Sequence, residues 1–504
     1  MDTIQEIKRR EFLVRFSLLT AGAAATLVPH RVAAAPSNMV DLNATTAVEA
    51  MRNGDMKAED YARALLDRAQ VLANLNAFRT LDRNMVLEAA RSADKARGAG
   101  GALGMLHGLP IPVKDSVNTK DLPTSNGTRS LTDFKPKDDA AILKPLLAQG
   151  AIVMGKTNLH ELSYSWTSNN AAFGAVRNPY DPQRIPGGSS GGSAAAVSAR
   201  IAPVAIAEDT LGSIRVPASM CGLAGLRPSF GRYSDDGVMP LTINKFDQVG
   251  PLARSVTDLL LFDTAVTGER GQISEVPLEG TRIGVPPEYW SGLDPEVDRV
   301  GSEALRKLRE AGATLVWAEL PEAAKAAMGV ALTIIAYDTW PAISDFLQQQ
   351  GTGVTFDQML EQTGEGVRGI IQAFALAPNR PKQEVYELML AQREQLKKAV
   401  RDYFERHRIV AIVSPPILVP PPKIGEEVEV EIRGQKIPLY VAMSRNLSLG
   451  SCASMASLVL PAGTTSSGLP VGLEFDALSG NDRQLLSLGL SLEKVLGLMP
   501  GPRM

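Results

Sequence analysis

At 504 residues, with 44% hydrophobic and 21% charged composition, the chain can bury a large core and is neither a disordered nor a fibrous type. A formal net charge of −3, a sequence pI near 6.0 and the lack of any basic stripe interleaved with aromatics exclude a nucleic-acid partner. The histidines His107, His160 and His407 and the cysteines Cys221 and Cys452 are widely spaced, with no C-x-x-C or H-E-x-x-H pattern. No metal or cofactor is expected from them, and both cysteines read as small core residues.

The chain begins with a basic region, Lys8-Arg9-Arg10, then Glu11-Phe12-Leu13, an apolar stretch from Phe16 to Val28, and Ala33-Ala34-Ala35 before Pro36. That stretch is too short to span a bilayer and is followed by small residues suited to cleavage. The paired arginines followed by Phe-Leu resemble a twin-arginine export signal. Residues 1–35 are therefore expected to be a signal peptide that engages export machinery, with the mature protein, periplasmic or secreted, beginning near Pro36. No second hydrophobic run is long enough for a membrane span.

From about 41 to 97 the sequence predicts helices, with Asp41 and Asp82 as possible caps and Tyr61, Leu65 and Leu66 at helical spacing. Leu109 to Lys114 reads as an apolar strand. Asp139 to Gln149 reads as a helix ended by Gly150, and Ala151 to Met154 follows as a buried strand. The same order of helix, glycine and strand recurs at Asp294-Pro295, Gly312 and Thr314 to Trp317. A long helix from about Lys382 to His407 then leads into the strand Ile409 to Val413. This alternation predicts an α/β fold, a single large domain whose mixed, mostly buried sheet is covered by helices on both faces. Pro415 to Pro422 reads as a rigid pocket wall rather than a linker.

Two small-residue loops carry the chemistry: Pro186-Gly187-Gly188-Ser189-Ser190-Gly191-Gly192-Ser193 and Glu208-Asp209-Thr210-Leu211-Gly212-Ser213-Ile214-Arg215. Serine hydroxyls attack carbonyls only when something takes their proton. A lysine can do so once burial makes it neutral, and Lys114 sits in an apolar run upstream. Three competing motifs fail on context. Gly150-x-x-x-x-Gly155-Lys156-Thr157 fits the phosphate-loop expression, but its middle is an apolar strand after a helix, whereas a phosphate cradle follows a strand and opens a helix. Gly187-Gly188-Ser189-Ser190-Gly191 fits a nucleophile elbow, but a proline-broken loop precedes it where a strand is required. A flexible linker would be flanked by polar sequence, and this one runs into Ala194-Ala195-Ala196-Val197.

These residues resemble the amidase signature family of serine amide hydrolases. The match covers the lysine strand, both serine loops and their spacing, Cys221-Gly222-Leu223-Ala224-Gly225-Leu226-Arg227-Pro228, and Gly468-Leu469-Pro470-Val471-Gly472-Leu473. The resemblance implies an amidase signature domain over 36–504, with a catalytic core over 76–260 and a variable substrate-pocket region over 265–440. It implies Ser213 as the nucleophile that becomes the acyl ester, Ser189 as a bridging serine after a cis peptide bond, and Lys114 as the base. Backbone N–H groups of Thr210, Leu211, Gly212 and Ser213 are expected to form the oxyanion hole. Ser190, Asp209 and Arg215 are expected to support it, and Tyr164 and Trp166 to line an aromatic pocket.

The chain departs from the motif where the family usually writes Gly-Thr-Asp-Thr-Gly-Gly-Ser and this sequence has Ala207-Glu208-Asp209-Thr210-Leu211-Gly212-Ser213. A leucine at the first of the paired glycines disfavours a positive φ there. The implied activity is hydrolysis of a carboxylic amide in a monomer or homodimer. By its C-terminal segments the chain looks most like bacterial indoleacetamide and mandelamide hydrolases, so a small aryl or hydrophobic amide is expected. Peptide amides, anilides and lactams stay open as substrates, as does an amide-binding protein without turnover.

Overall fold

A computed structural model describes residues 39–271 and 273–503, which belong to one compact unit. The expected signal segment, 1–35, lies outside the described residues.

An eleven-stranded mixed sheet forms the centre. In chain order its strands are β1 (Phe78–Thr80), β2 (Pro110–Lys114), β3 (Ile152–Thr157), β4 (Val204–Asp209), β5 (Ala224–Arg227) and β6 (Gln248–Ala253), followed by β7 (Arg282–Val285), β8 (Thr314–Trp317), β9 (Ala411–Ser414), β10 (Ala456–Thr464) and β11 (Pro470–Ala477). Across the sheet the order is β1-β3-β2-β4-β6-β5-β10-β11-β9-β7-β8. Strand β2 runs parallel to β3 and β4, and β7 parallel to β8 and β9; the other neighbours are antiparallel. Every residue of β2, β4, β5, β6, β9 and β11 is buried, so these strands need apolar cover on both faces, and their sequences are accordingly runs rather than alternations.

The expected helices form, with differences that have local causes. Asn43, not Asp41, caps the helix Ala44–Asn53 by accepting from Thr46 N–H, while Asp41 falls in a single 3-10 turn. Asp82 caps Arg83–Gly98 as expected, and Asp294 caps Pro295–Glu310. The helix expected over 139–149 is shorter, Leu143–Ala148, because the Asp139 carboxylate accepts from Lys120 N–H and so ties residue 139 into a loop. Gly150 turns the chain at φ +89° into β3, and Leu143 and Leu146 join Ile111, Val113, Ile152 and Ile206 in the main core. The long helix Gln383–His407 leads into β9 as predicted.

Candidate active site

Parallel pairing of β2 with β4 sets Val113 opposite Ile206, so the ends of both apolar strands deliver polar residues to one place. Lys114 ends β2 and Glu208-Asp209 ends β4, all buried. Lys114 Nζ donates to Ser189 Oγ at 2.6 Å and to Glu208 Oε1 at 2.9 Å. Burial pushes the Lys114 ammonium below the ordinary lysine value, and the charge and hydrogen bond of Glu208, then the charges of Asp209 and Asp247, oppose that shift.

Ser189 lies in the turn that opens the helix Gly191–Ser198, and the Gly188–Ser189 peptide bond is cis. The Ser189 carbonyl accepts from His160 N–H and from Ser168 Oγ, both at 3.1 Å. A Cβ on Gly188 would stand 2.8 Å from the Thr167 nitrogen, so only glycine admits this approach of the two loops. Ser190 joins the serine loops: its N–H donates to the Ser213 carbonyl at 3.3 Å, and its Oγ donates to the Glu208 carbonyl at 3.1 Å.

The loop from β4 to Ser213 is braced from below. Asp209 accepts from Gly212 N–H at 2.7 Å, Ile214 N–H at 3.1 Å and Arg215 Nε at 3.0 Å. Arg215 also reaches Glu474 at 2.7 Å and Ser451 at 2.8 Å, and Arg227 stands 3.4 Å from Asp209. Burial alone would raise the Asp209 carboxyl, but Arg215, Arg227 and the Gly212 N–H outweigh it and hold the group well below the carboxylate range. Asp209 and Arg215 are thus an internal brace.

One expectation differs here. The Gly212 N–H is committed to Asp209, which removes it from the expected set of oxyanion donors. Leu211 has no positive φ, in keeping with its side chain; the positive φ, +109°, falls on Gly212. Leu211 buries its side chain with Phe246 and Leu449, and its carbonyl accepts from Trp166 Nε1 at 2.7 Å. Trp166 is half-buried beside that cluster. Tyr164 instead packs with Leu162, Ile343 and Phe346, its hydroxyl 3.1 Å from Thr339 Oγ1.

The description of the amidase family matches residues 60–486, a span that contains every residue of this site. The chain belongs to the amidase family. An indoleacetamide hydrolase from Agrobacterium vitis is 34% identical over 458 residues, covering 90% of this chain and 97% of its own. A mandelamide hydrolase from Pseudomonas putida is 33% identical over 489 residues, covering 94% and 95%. A solved structure of an amidase is 30% identical with a TM-score of 0.82, covering 90% of this chain and all of that one. The protein is an amide-hydrolysing enzyme with the single-domain α/β fold of those amidases.

Within this amidase the residue that sequence reasoning missed is Glu208. Its one signal was a carboxylate at the end of an apolar strand, opposite in charge to the lysine that ends another. Lys156, from the phosphate-loop look-alike, lies on β3 and serves the interior: it donates to Val117 O and Thr124 Oγ1, each at 2.6 Å, and faces Asp115 at 3.4 Å. The proline-rich run contributes Val419 to Pro422 to a surface cavity of about 380 Å³ shared with Arg184, Glu296 and Thr465, and none of the serine-loop residues lines it. Among the described residues no group of three metal-ligating side chains is present, and both cysteines are free and buried.

Proposed function

We propose that this amidase cleaves the C–N bond of small aryl or hydrophobic amides through Ser213, Ser189 and Lys114 and an acyl-enzyme. The observation that carries the reading is the 2.6 Å hydrogen bond between Lys114 Nζ and Ser189 Oγ inside a buried site. Neutral Lys114 takes the proton of Ser189 as Ser189 takes that of Ser213, and Ser213 Oγ attacks the carbonyl carbon. The oxyanion is met by the N–H groups of Thr210, Leu211 and Ser213. Each such donor contributes about 3–4 kcal/mol to the transition state, which is why a rigid brace beneath the loop matters. The proton then returns through Ser189 to the leaving nitrogen, the C–N bond breaks, and water hydrolyses the ester with the same base.

An aryl acyl group is supported by the half-buried Trp166 beside Leu211 and by the names of the two relatives, both hydrolases of amides of aromatic acids. Assaying ammonia or amine release from a panel of arylacetamides, anilides, peptide amides and lactams tests it. The highest kcat/KM should fall on an arylacetamide, and a preference for peptide amides by tenfold or more would overturn the substrate assignment. We further propose that residues 1–35 direct export, on the strength of Arg9-Arg10 and Ala33-Ala34-Ala35.

A further inference from the structure

Glu208 stands where the serine-loop motif usually has a neutral threonine, and it is 2% exposed. A buried carboxylate is costly unless paired, and every contact of this one is directed. Oε1 accepts from Lys114 Nζ at 2.9 Å, while Oε2 accepts from Ser116 Oγ at 3.0 Å and Ser163 Oγ at 3.3 Å. Its backbone is held as well, since Ser190 Oγ donates to its carbonyl at 3.1 Å. The two serines engage one carboxylate oxygen, and the other is left to the lysine, which also donates to Ser189.

The other charged or titratable groups near Lys114 are engaged elsewhere. Asp209 belongs to Arg215 and Arg227, and Asp247 accepts from Thr210 Oγ1 at 2.6 Å and from Leu241 and Thr242. Asp115 is matched by Lys156, and the His160 imidazole, which burial and then Lys114 push down to about 3, is hydrogen-bonded with Thr167. Glu208 alone among the described carboxylates forms a hydrogen-bonded pair with Lys114.

We propose that Glu208 is a positioning residue for the hydrolysis, holding Lys114 Nζ on Ser189 and serving as the counter-charge to the ammonium that forms when the lysine accepts a proton. The proposal rests on the reading of Lys114 as the base. In the resting pair Lys114 carries the proton and Glu208 the negative charge. Loss of that proton to solvent gives the neutral amine that accepts from Ser189, and Glu208 resists the loss while stabilising the ammonium that forms as Ser213 attacks. A carboxylate in this place makes the lysine a stronger base at the expense of activity in acid.

The test is the pH profile of kcat/KM for the wild type, Glu208→Gln, Glu208→Asp and Lys114→Ala. An opposite charge this close is worth about 1–3 pH units, so glutamine should move the acidic limb down by at least one unit. It should also lower the kcat plateau about tenfold or more, because a less basic lysine is a weaker proton acceptor. KM should stay within about twofold, and aspartate should keep the limb in its wild-type place. If glutamine does not fold, Glu208→Thr is read in the same way. An acidic limb left unmoved by loss of the charge, or moved equally by aspartate, overturns the role of Glu208. Wild-type activity in Lys114→Ala would instead overturn the assignment of the base, so the two failures are distinguishable.

Discussion

The indole Nε1 of Trp166 donates to the carbonyl oxygen of Leu211 at 2.7 Å, tying the segment after β3 to the turn that precedes Ser213. Leu211 is 4% exposed within the second apolar cluster, so this bond and the buried side chain add to the contacts of Asp209 and Asp247 that hold the turn. Trp166→Phe keeps an aromatic ring, though a smaller one, and removes the bond. The loss of about 0.5–1.5 kcal/mol expected for a neutral hydrogen bond should lower kcat about two- to tenfold, read by steady-state kinetics with Tm as control.

Asp209 receives three backbone N–H groups of the loop that carries Ser213 and two arginines, all in the interior. Asp209→Asn leaves Arg215 and Arg227 with an uncompensated share of buried charge. Breaking a buried pair by removing one partner costs about 3–5 kcal/mol, so urea unfolding should show a loss of that size together with near-complete loss of turnover. A variant as stable and active as the wild type would contradict the brace.

Much of this arrangement is legible in the sequence, and the exceptions are instructive. Lys114 and Ser189 stand out because an apolar strand run and a glycine loop frame them, and Asp209 and Arg215 through the resemblance of their loop to the family motif. The 94-residue separation of Lys114 and Glu208 carries no such rule. Their meeting depends on the parallel register of Val113 with Ile206, a tertiary fact. The Gly212 N–H departs from the expected donor set for the opposite reason, a local one: Asp209 lies three residues before it and captures its N–H, as short acidic side chains do in turns. The shortened helix before Gly150 has the same kind of origin, a side chain outbidding helix propensity.

The pH dependence has a defined sign. Burial lowers Lys114 below the ordinary lysine value, and only the neutral amine is a base, so kcat/KM should rise with pH through the lowered pKa and level off above it. Lys114→Ala should lose the factor of about 10²–10⁴ typical of general-base catalysis, and its residual rate should lack this limb. Ser189→Ala should keep a small rate, since water can stand in for a bridging hydroxyl.

Replacing Arg9 and Arg10 by lysines should leave the precursor in the cytoplasm, measured by fractionation and by the N-terminal residue of the processed protein. An unchanged yield of exported protein starting near Pro36 would remove the export proposal.

The central claim, an acyl-enzyme on Ser213 formed with Lys114 as base, is tested most directly by covalent trapping with a serine-reactive fluorophosphonate, followed by intact mass and peptide mapping. One adduct per chain is predicted, on the peptide carrying Ser213, absent in Ser213→Ala and formed about 10²-fold or more slowly in Lys114→Ala. An adduct on Ser189 or elsewhere in the wild type, or undiminished labelling of Ser213→Ala, would contradict the account.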